Sequence, residues 1–251
     1  MSTPVKKYLK DYKAPTYGIS SCHLDFRIDD HATVVKSRLQ VYRTANGTGG
    51  EPFVLDGVNL STRRVLIDGQ VLGEDRVHID GEHLTVSDPP ERFLFECEVE
   101  INPNGNSTLE GLYRSGEILC TQCEPEGFRK ITWYPDRPDI LTVFTTTIHA
   151  PRATFPVLLS NGNLVSTGEE GDWHWVKWED PFPKPSYLFA LVAGDLACVS
   201  DSFVTMSGRR AGLEVYVAHK DVAKASYALY SMATAMKWDE ERFGREYDLE
   251  K

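Results

Sequence analysis

Short runs of alternating apolar and polar residues, each broken by Gly, Asp, Asn or Pro, restrict this chain to a β scaffold. Between Tyr17 and Ile28 the apolar positions include Ile19, Cys22, Leu24, Phe26 and Ile28, with the last three on one face of a strand. Residues 31–43 supply a partner strand carrying Val35, Leu39 and Val41, and Asp29-Asp30 suits the turn between them. Asn46-Gly47-Thr48-Gly49-Gly50 is a loop. Strands follow at 53–55, 60–67, 77–79, 84–86 and 93–101, separated by turns that include Asp68-Gly69 and Asp80-Gly81. Strands this short, this closely spaced, predict a mainly β chain organised as an antiparallel β-sandwich.

The β-branched run at 140–149 is another strand. Residues 155–160 and 164–168 flank Asn161-Gly162, which predicts a hairpin. In the strand at 173–178, Trp173, Trp175 and Lys177 oppose His174, Val176 and Trp178; three close tryptophans suit sheet packing better than a sugar platform. Pro181-Phe182-Pro183-Lys184-Pro185 reads as a stiff connector barred from a central strand. A buried strand at 187–192 and two more at 196–206 and 213–218, joined at Ser207-Gly208, complete the β pattern. The period then changes. Asp221 can cap a helix whose apolar residues Val222, Ala225, Leu229, Met232 and Met236 step by three and four. The shift in composition near Gly194 divides the chain into domains 1–194 and 195–251.

One stretch, 109–138, does not alternate. It sets Gln122, Cys123, Glu124, Glu126, Arg129, Asp136 and Arg137 among aromatics and prolines. Glu124-Pro125-Glu126-Gly127 is a turn sequence, with Pro125 fixing φ and Gly127 free to take positive φ; Tyr134-Pro135-Asp136-Arg137-Pro138 is a second. An amide and a carboxylate, Gln122 and Glu124, thus stand two residues apart on the lip of a strand, where a rigid sheet presents ligand contacts.

The net charge of −10 argues against a nucleic-acid partner. The N-terminus has no apolar leader pattern, and no run approaches the length of a membrane span. Five scattered cysteines (Cys22, Cys97, Cys120, Cys123 and Cys198) fit a reducing compartment, so the expected location is cytoplasmic, with peripheral attachment to a membrane left open. Cys120-x-x-Cys123 has neither a second pair nor a thioredoxin-like setting, and reads as two thiols on a strand. None of the histidines at 23, 31, 78, 83, 149, 174 and 219 has the i, i+4 spacing of a helical zinc motif, so no metal ligand set is expected in this chain.

Several pieces together resemble one family. They are Leu109-Glu110-Gly111-Leu112-Tyr113, Thr121-Gln122-Cys123-Glu124-Pro125, Arg129 and Trp133-Tyr134-Pro135-Asp136-Arg137-Pro138. Leu159-Ser160-Asn161-Gly162, Tyr187-Leu188-Phe189-Ala190 and Ala193-Gly194-Asp195 continue the series. The chain is similar to the N-terminal part of the zinc aminopeptidases of the thermolysin-like superfamily, in the bacterial aminopeptidase N (membrane alanyl aminopeptidase) family. Met236-Lys237-Trp238-Asp239-Glu240-Glu241-Arg242-Phe243-Gly244 resembles the start of that family's catalytic domain. The resemblance implies a substrate-capping β-sandwich at 1–194. It also implies the truncated start of an α/β thermolysin-like catalytic domain at 195–251, cut before the zinc motif.

It further implies that Glu124 binds the α-ammonium of a peptide with a free N-terminus, and that the amide of Gln122 assists. Zinc, in the intact protein, would be held by residues beyond Lys251, and the partner of this portion would be the rest of its own catalytic domain. The catalytic residues also lie outside, so the 251-residue chain alone is expected to be inactive. The competing reading is a non-catalytic β-sandwich binding or scaffold module with an aromatic face around Trp173, Trp175 and Trp178.

Overall fold

The alternation beginning at Tyr17 becomes β1 (Tyr17–Ile28), in which Cys22, Leu24, Phe26 and Ile28 are sealed while His23 and Arg27 face outward. A bulge between Ile19 and Ser21 turns Ile19 onto the same buried face despite its odd spacing from Cys22. The computed structural model describes residues 6, 8–29 and 32–251. Asp30 of the expected turn and His31 of the expected partner strand lie outside the described residues, as does most of the 1–7 segment.

After β2 (Thr33–Arg43) come the short strands β3 (Phe53–Asp56), β4 (Ser61–Ile67), β5 (Gln70–Val71), β6 (Val77–Asp80) and β7 (His83–Val86), then the long β8 (Arg92–Ile101). The β4–β5 hairpin turns through Asp68 and Gly69, both at positive φ, as a two-residue loop demands. β9 (Gly111–Ser115) and β10 (Ile118–Gln122) lead into the non-alternating stretch, and β11 (Thr142–Pro151) leaves it. β12 (Val157–Ser160), β13 (Asn163–Glu170), β14 (Trp173–Lys184) and β15 (Leu191–Gly194) follow. The chain ends in the hairpin β16 (Ala197–Val204) and β17 (Arg210–Val217) and the helix α1 (Val222–Phe243).

Eight strands form one sheet in the order β13-β14-β11-β1-β2-β8-β4-β5, and β12-β15-β10-β9 form a second. A three-stranded sheet, β3-β7-β6, and the β16-β17 pair complete the set. The pairing is antiparallel except where β1 meets β11, Leu24 opposite Thr146 and Phe26 opposite Ile148. The long connection between those two strands permits a parallel neighbour where a hairpin could not. One continuous core joins the sheets from Tyr17 to Ala193, centred on Phe26, Phe53, Phe95, Phe128, Tyr134, Phe144, Phe155 and Phe189.

Four local expectations are corrected. Asn161-Gly162 does not close a hairpin: β12 pairs with β15, and β13 with β14. The dipeptide carries the chain from one sheet to the other. The Asn161 amide accepts from Ala190 N at 2.7 Å and donates to Leu188 O at 3.1 Å. Gly162 has φ 91° and sits so close to Glu179 that a Cβ would lie 2.1 Å from its carbonyl oxygen.

Pro181 and Pro183 lie within β14, an interior strand. They are tolerated because β13 stops pairing at Glu179, and the β11 register is broken between Thr142 and Phe144. The strand expected at 187–192 is split, a 3₁₀ turn at Ser186–Leu188 preceding β15. Asp221 stands at the N-cap position of α1, but its carboxylate takes Lys224 Nζ at 2.5 Å instead of capping a backbone N–H.

Candidate functional site

Gln122 is the last residue of β10, paired with Gly111 of β9. Beyond it the side chains separate sharply: Cys123 is buried, Glu124, Pro125 and Glu126 are exposed, and Phe128 is fully buried. The Glu124–Pro125 peptide is cis. Gly127 is needed for a different reason from the one its turn sequence suggested. Its φ is −85°, but a Cβ there would come within 2.4 Å of Gln122 O, because the turn folds back on the strand end. Gly127 N donates to Cys123 O at 2.8 Å and closes that turn.

Two anchors hold the turn. The apolar one is Phe128, edge-on to Tyr134, Phe144 and Phe189 at centroid distances of 5.0, 5.9 and 5.4 Å. The polar one is Arg129. Its Nε and backbone N both donate to Asp136 Oδ2 at 3.2 Å, and its Nη2 donates to Asp136 O at 3.2 Å. Asp136, with its side chain 1% exposed, also receives Ser186 Oγ at 2.6 Å. Its backbone N donates to Asp56 Oδ2 at 3.0 Å. Burial pushes the Asp136 carboxyl above the usual carboxylate range, against the opposing bonds from Ser186 and Arg129.

The carboxylates along this stretch have different fates. Glu110 is engaged by Lys130 at 2.6 Å, Glu126 lies 3.8 Å from Arg129, and Asp139 receives Arg137 and Tyr12. The Glu124 carboxylate has no cation or hydrogen-bond donor against it among the described residues, and the Gln122 side chain reaches only Glu124 O, at 3.2 Å. The two residues sequence reasoning selected therefore both lie exposed at the strand end, joined by the bond from the Gln122 amide to Glu124 O. A cleft of about 790 Å³ opens beside them between residues 11–17 and the second turn; Glu126, Arg129 and Asp136 line it, Gln122 and Glu124 do not. Asp56 and Ser186 are the members of this stretch's support that sequence reasoning missed. They arrive from β3 and from the turn before β15, and no local pattern marks them.

Other candidates resolve as packing. Trp178 is buried and donates to Leu158 O at 3.2 Å. Trp173 lies under the Arg27 guanidinium at 4.1 Å, and Trp175 packs over Gly168, so the three tryptophans present no open platform. Cys120 and Cys123 are free thiols, and burial raises the Cys123 thiol. Among the described residues no three His, Cys, Asp or Glu side chains converge into a set able to hold a metal ion. These residues therefore do not fit a zinc site.

A mainly β scaffold thus displays an unengaged carboxylate and an exposed amide at a braced strand end. Residues 18–188 match the Peptidase M1 N-terminal domain, and the chain belongs to that family. It is 49% identical over 249 residues to Aminopeptidase N of Caulobacter vibrioides, and 49% over 248 residues to Aminopeptidase N of Escherichia coli. Those alignments cover 99% and 98% of this chain but 28% of each relative, so the chain spans under a third of their length.

Legionella pneumophila aminopeptidase A, solved in complex with aspartic acid, superposes with a TM-score of 0.93 at 34% identity, over 97% of this chain and 29% of that one. An M1 zinc metallopeptidase from Deinococcus radiodurans shares the fold at 16% identity and a TM-score of 0.78, over 94% of this chain and 55% of that one. No helix among the described residues is long and apolar enough to cross a membrane.

Proposed function

We propose that this chain is the N-terminal portion of a zinc metalloaminopeptidase that removes N-terminal amino acids from peptides. Residues 1–194 form its substrate cap, and 195–251 begin its catalytic domain. Zinc belongs to the part of the protein that these residues do not include. The role of this chain is recognition: the Glu124 carboxylate accepts the substrate's α-ammonium and the Gln122 amide assists. The observation that carries this reading is the unengaged Glu124 carboxylate at the braced end of β10, where its neighbour Glu126 faces Arg129. The other carboxylate of the stretch that is unpaired among the described residues, Glu117, sits on the β9–β10 turn at the opposite end of that hairpin. A compact ammonium in a partly closed site is matched by an ionised carboxylate through short, charge-assisted hydrogen bonds. The amino acid in the Legionella neighbour's complex carries that same ammonium.

The experiment compares an aminoacyl amide with its N-acetyl analogue on the longer protein, with and without a chelator. Preference for the free amine on the order of a hundredfold or more, abolished by chelation, is expected. Equal rates on the two substrates would contradict the reading. The 251-residue chain alone is expected to hydrolyse neither.

A further inference from the structure

We propose that Asp136, Arg129 and Ser186 form a positioning clasp that sets where the turn at 123–127 holds Glu124, a role that rests on the amine-binding reading of Glu124. The three residues come from separate segments and meet at one buried carboxylate. Asp136 Oδ1 takes Ser186 Oγ at 2.6 Å, while Oδ2 takes the Arg129 backbone N and Nε, each at 3.2 Å. From this hub the Arg129 guanidinium extends outward to Glu126 at 3.8 Å, two residues from Glu124, and sideways to Asp56 at 3.9 Å. Asp56 in turn accepts the Asp136 backbone N at 3.0 Å, and its strand exchanges backbone bonds with Tyr134 at 2.9 and 3.1 Å. Val58 N closes on Arg129 O at 2.9 Å. The turn is thus tied at its far end to β3, to the second turn and to the segment before β15. Its near end is the tip of β10.

An apolar cluster would hold the sandwich together as well as this clasp does. Phe128 already supplies burial one residue away, packed against three aromatic rings. Replacing a buried ion pair by apolar residues is often neutral for stability, so a stability role gives little reason for a charged hub here. Hydrogen bonds supply what packing does not, which is direction. The Asp136 carboxylate fixes both the backbone N and the side chain of one residue, so Arg129 cannot rotate without breaking two bonds together. An error of about 1 Å in a group that orients substrate can lower rate about a hundredfold, and loss of a supporting partner typically lowers it 10–100-fold.

The test uses the longer protein with Asp136→Asn and Ser186→Ala, each in the wild-type and the Glu124→Gln background. Asp136→Asn is expected to lower kcat/KM for a free-amine substrate about tenfold, mainly through KM, and Ser186→Ala by a smaller factor in the same direction. Both effects should shrink to within about twofold when Glu124 is already Gln, because the clasp acts through that carboxylate. Amides of the 123–127 turn should exchange faster in both variants, while those of β1 and β11 stay as in wild type. Exchange of the turn unchanged in both variants would overturn the clasp, whatever the kinetics show. An equal loss in both backgrounds would also overturn it, since that is the signature of a merely structural residue. Failure of the amine reading looks different: Glu124→Gln alone would then leave kcat/KM intact while the turn still loosened in Asp136→Asn. Should Asp136→Asn fail to fold, Ser186→Ala, which removes one hydrogen bond and no charge, decides by the same two readouts.

Discussion

The two ends of this chain are built by different rules. From Tyr17 to Ala193 every sheet but the last contributes to one core, in which phenylalanines from distant strands meet edge to face. In β16, β17 and α1 the buried apolar side chains are Ala211, Leu213, Ala225 and Leu229, and none of them joins that core. The helix leaves Tyr227, Tyr230, Trp238 and Phe243 exposed. Besides buried Ala225 and Leu229 it is held by polar bonds: Glu240 of the helix accepts Met206 N at 3.1 Å, and Glu246, just past its end, accepts Ser207 N at 2.7 Å. The difference teaches where a functional group can be held. Gln122 and Glu124 stand on the first region, braced by Phe128 and by Asp136; the second offers no comparable support.

The contrast can be broken most directly by truncation in each region. Phe128→Ala should lower the unfolding free energy of the chain by about 3–5 kcal/mol, through lost burial and the cavity it leaves. Tyr230→Ala in α1 should stay within about 0.5 kcal/mol. Denaturant titration of both variants checks this, and comparable losses would erase the distinction. Hydrogen exchange sharpens it: amides near Leu229 should be protected by about 2 kcal/mol less than those of Phe26 or Val143 in a monomeric sample. Equal protection would place the helix in the same cooperative unit.

A smaller effect is expected where the chain changes sheets. Asn161→Ala removes the acceptor for Ala190 N and the donor to Leu188 O, and should lower stability by about 1–2 kcal/mol in the same titration. The smallest effect is a pH dependence at the clasp. Burial keeps Asp136 protonated to higher pH in the native state than in the unfolded chain, so between those two values its contribution to stability falls as pH rises. The difference in melting temperature between wild type and Asp136→Asn should therefore move in favour of wild type as pH is lowered from about 7 toward about 4. A shift in the opposite direction would mean that the bonds from Ser186 and Arg129 outweigh burial.

Most strands were legible because one face of each is buried, which writes the burial into the sequence with a period of two. What escaped is what period two cannot encode. Asn161-Gly162 has the composition of a hairpin turn, but which strand pairs with which is settled by the distant partners β14 and β15. Pro181 and Pro183 are excluded from central strands only where both edges are occupied, and the sequence does not state when a neighbouring strand has ended. Gln122 and Glu124 were selected from their turn and from family resemblance, and their amine-binding role is the proposal. Asp56 and Ser186 were not, since their meeting with Asp136 spans 80 and 50 residues.

The central claim is that Glu124 anchors the substrate's amine, and one paired measurement tests it: kcat/KM of Glu124→Gln and Glu126→Gln in the longer protein, on a substrate with a free N-terminus. Both carboxylates sit on one exposed turn, but Glu126 already faces Arg129 while Glu124 faces no cation among the described residues. Glu124→Gln keeps the shape and removes the charge, and should lower kcat/KM by roughly thirty- to several-thousand-fold, equivalent to about 2–5 kcal/mol. Glu126→Gln weakens only the exposed 3.8 Å contact to Arg129 and leaves the hydrogen bonds of Asp136 to Arg129 and Ser186 in place, so it should remain within a few-fold of wild type. A Glu124→Gln variant near wild type, or a Glu126→Gln variant equally impaired, would contradict the assignment.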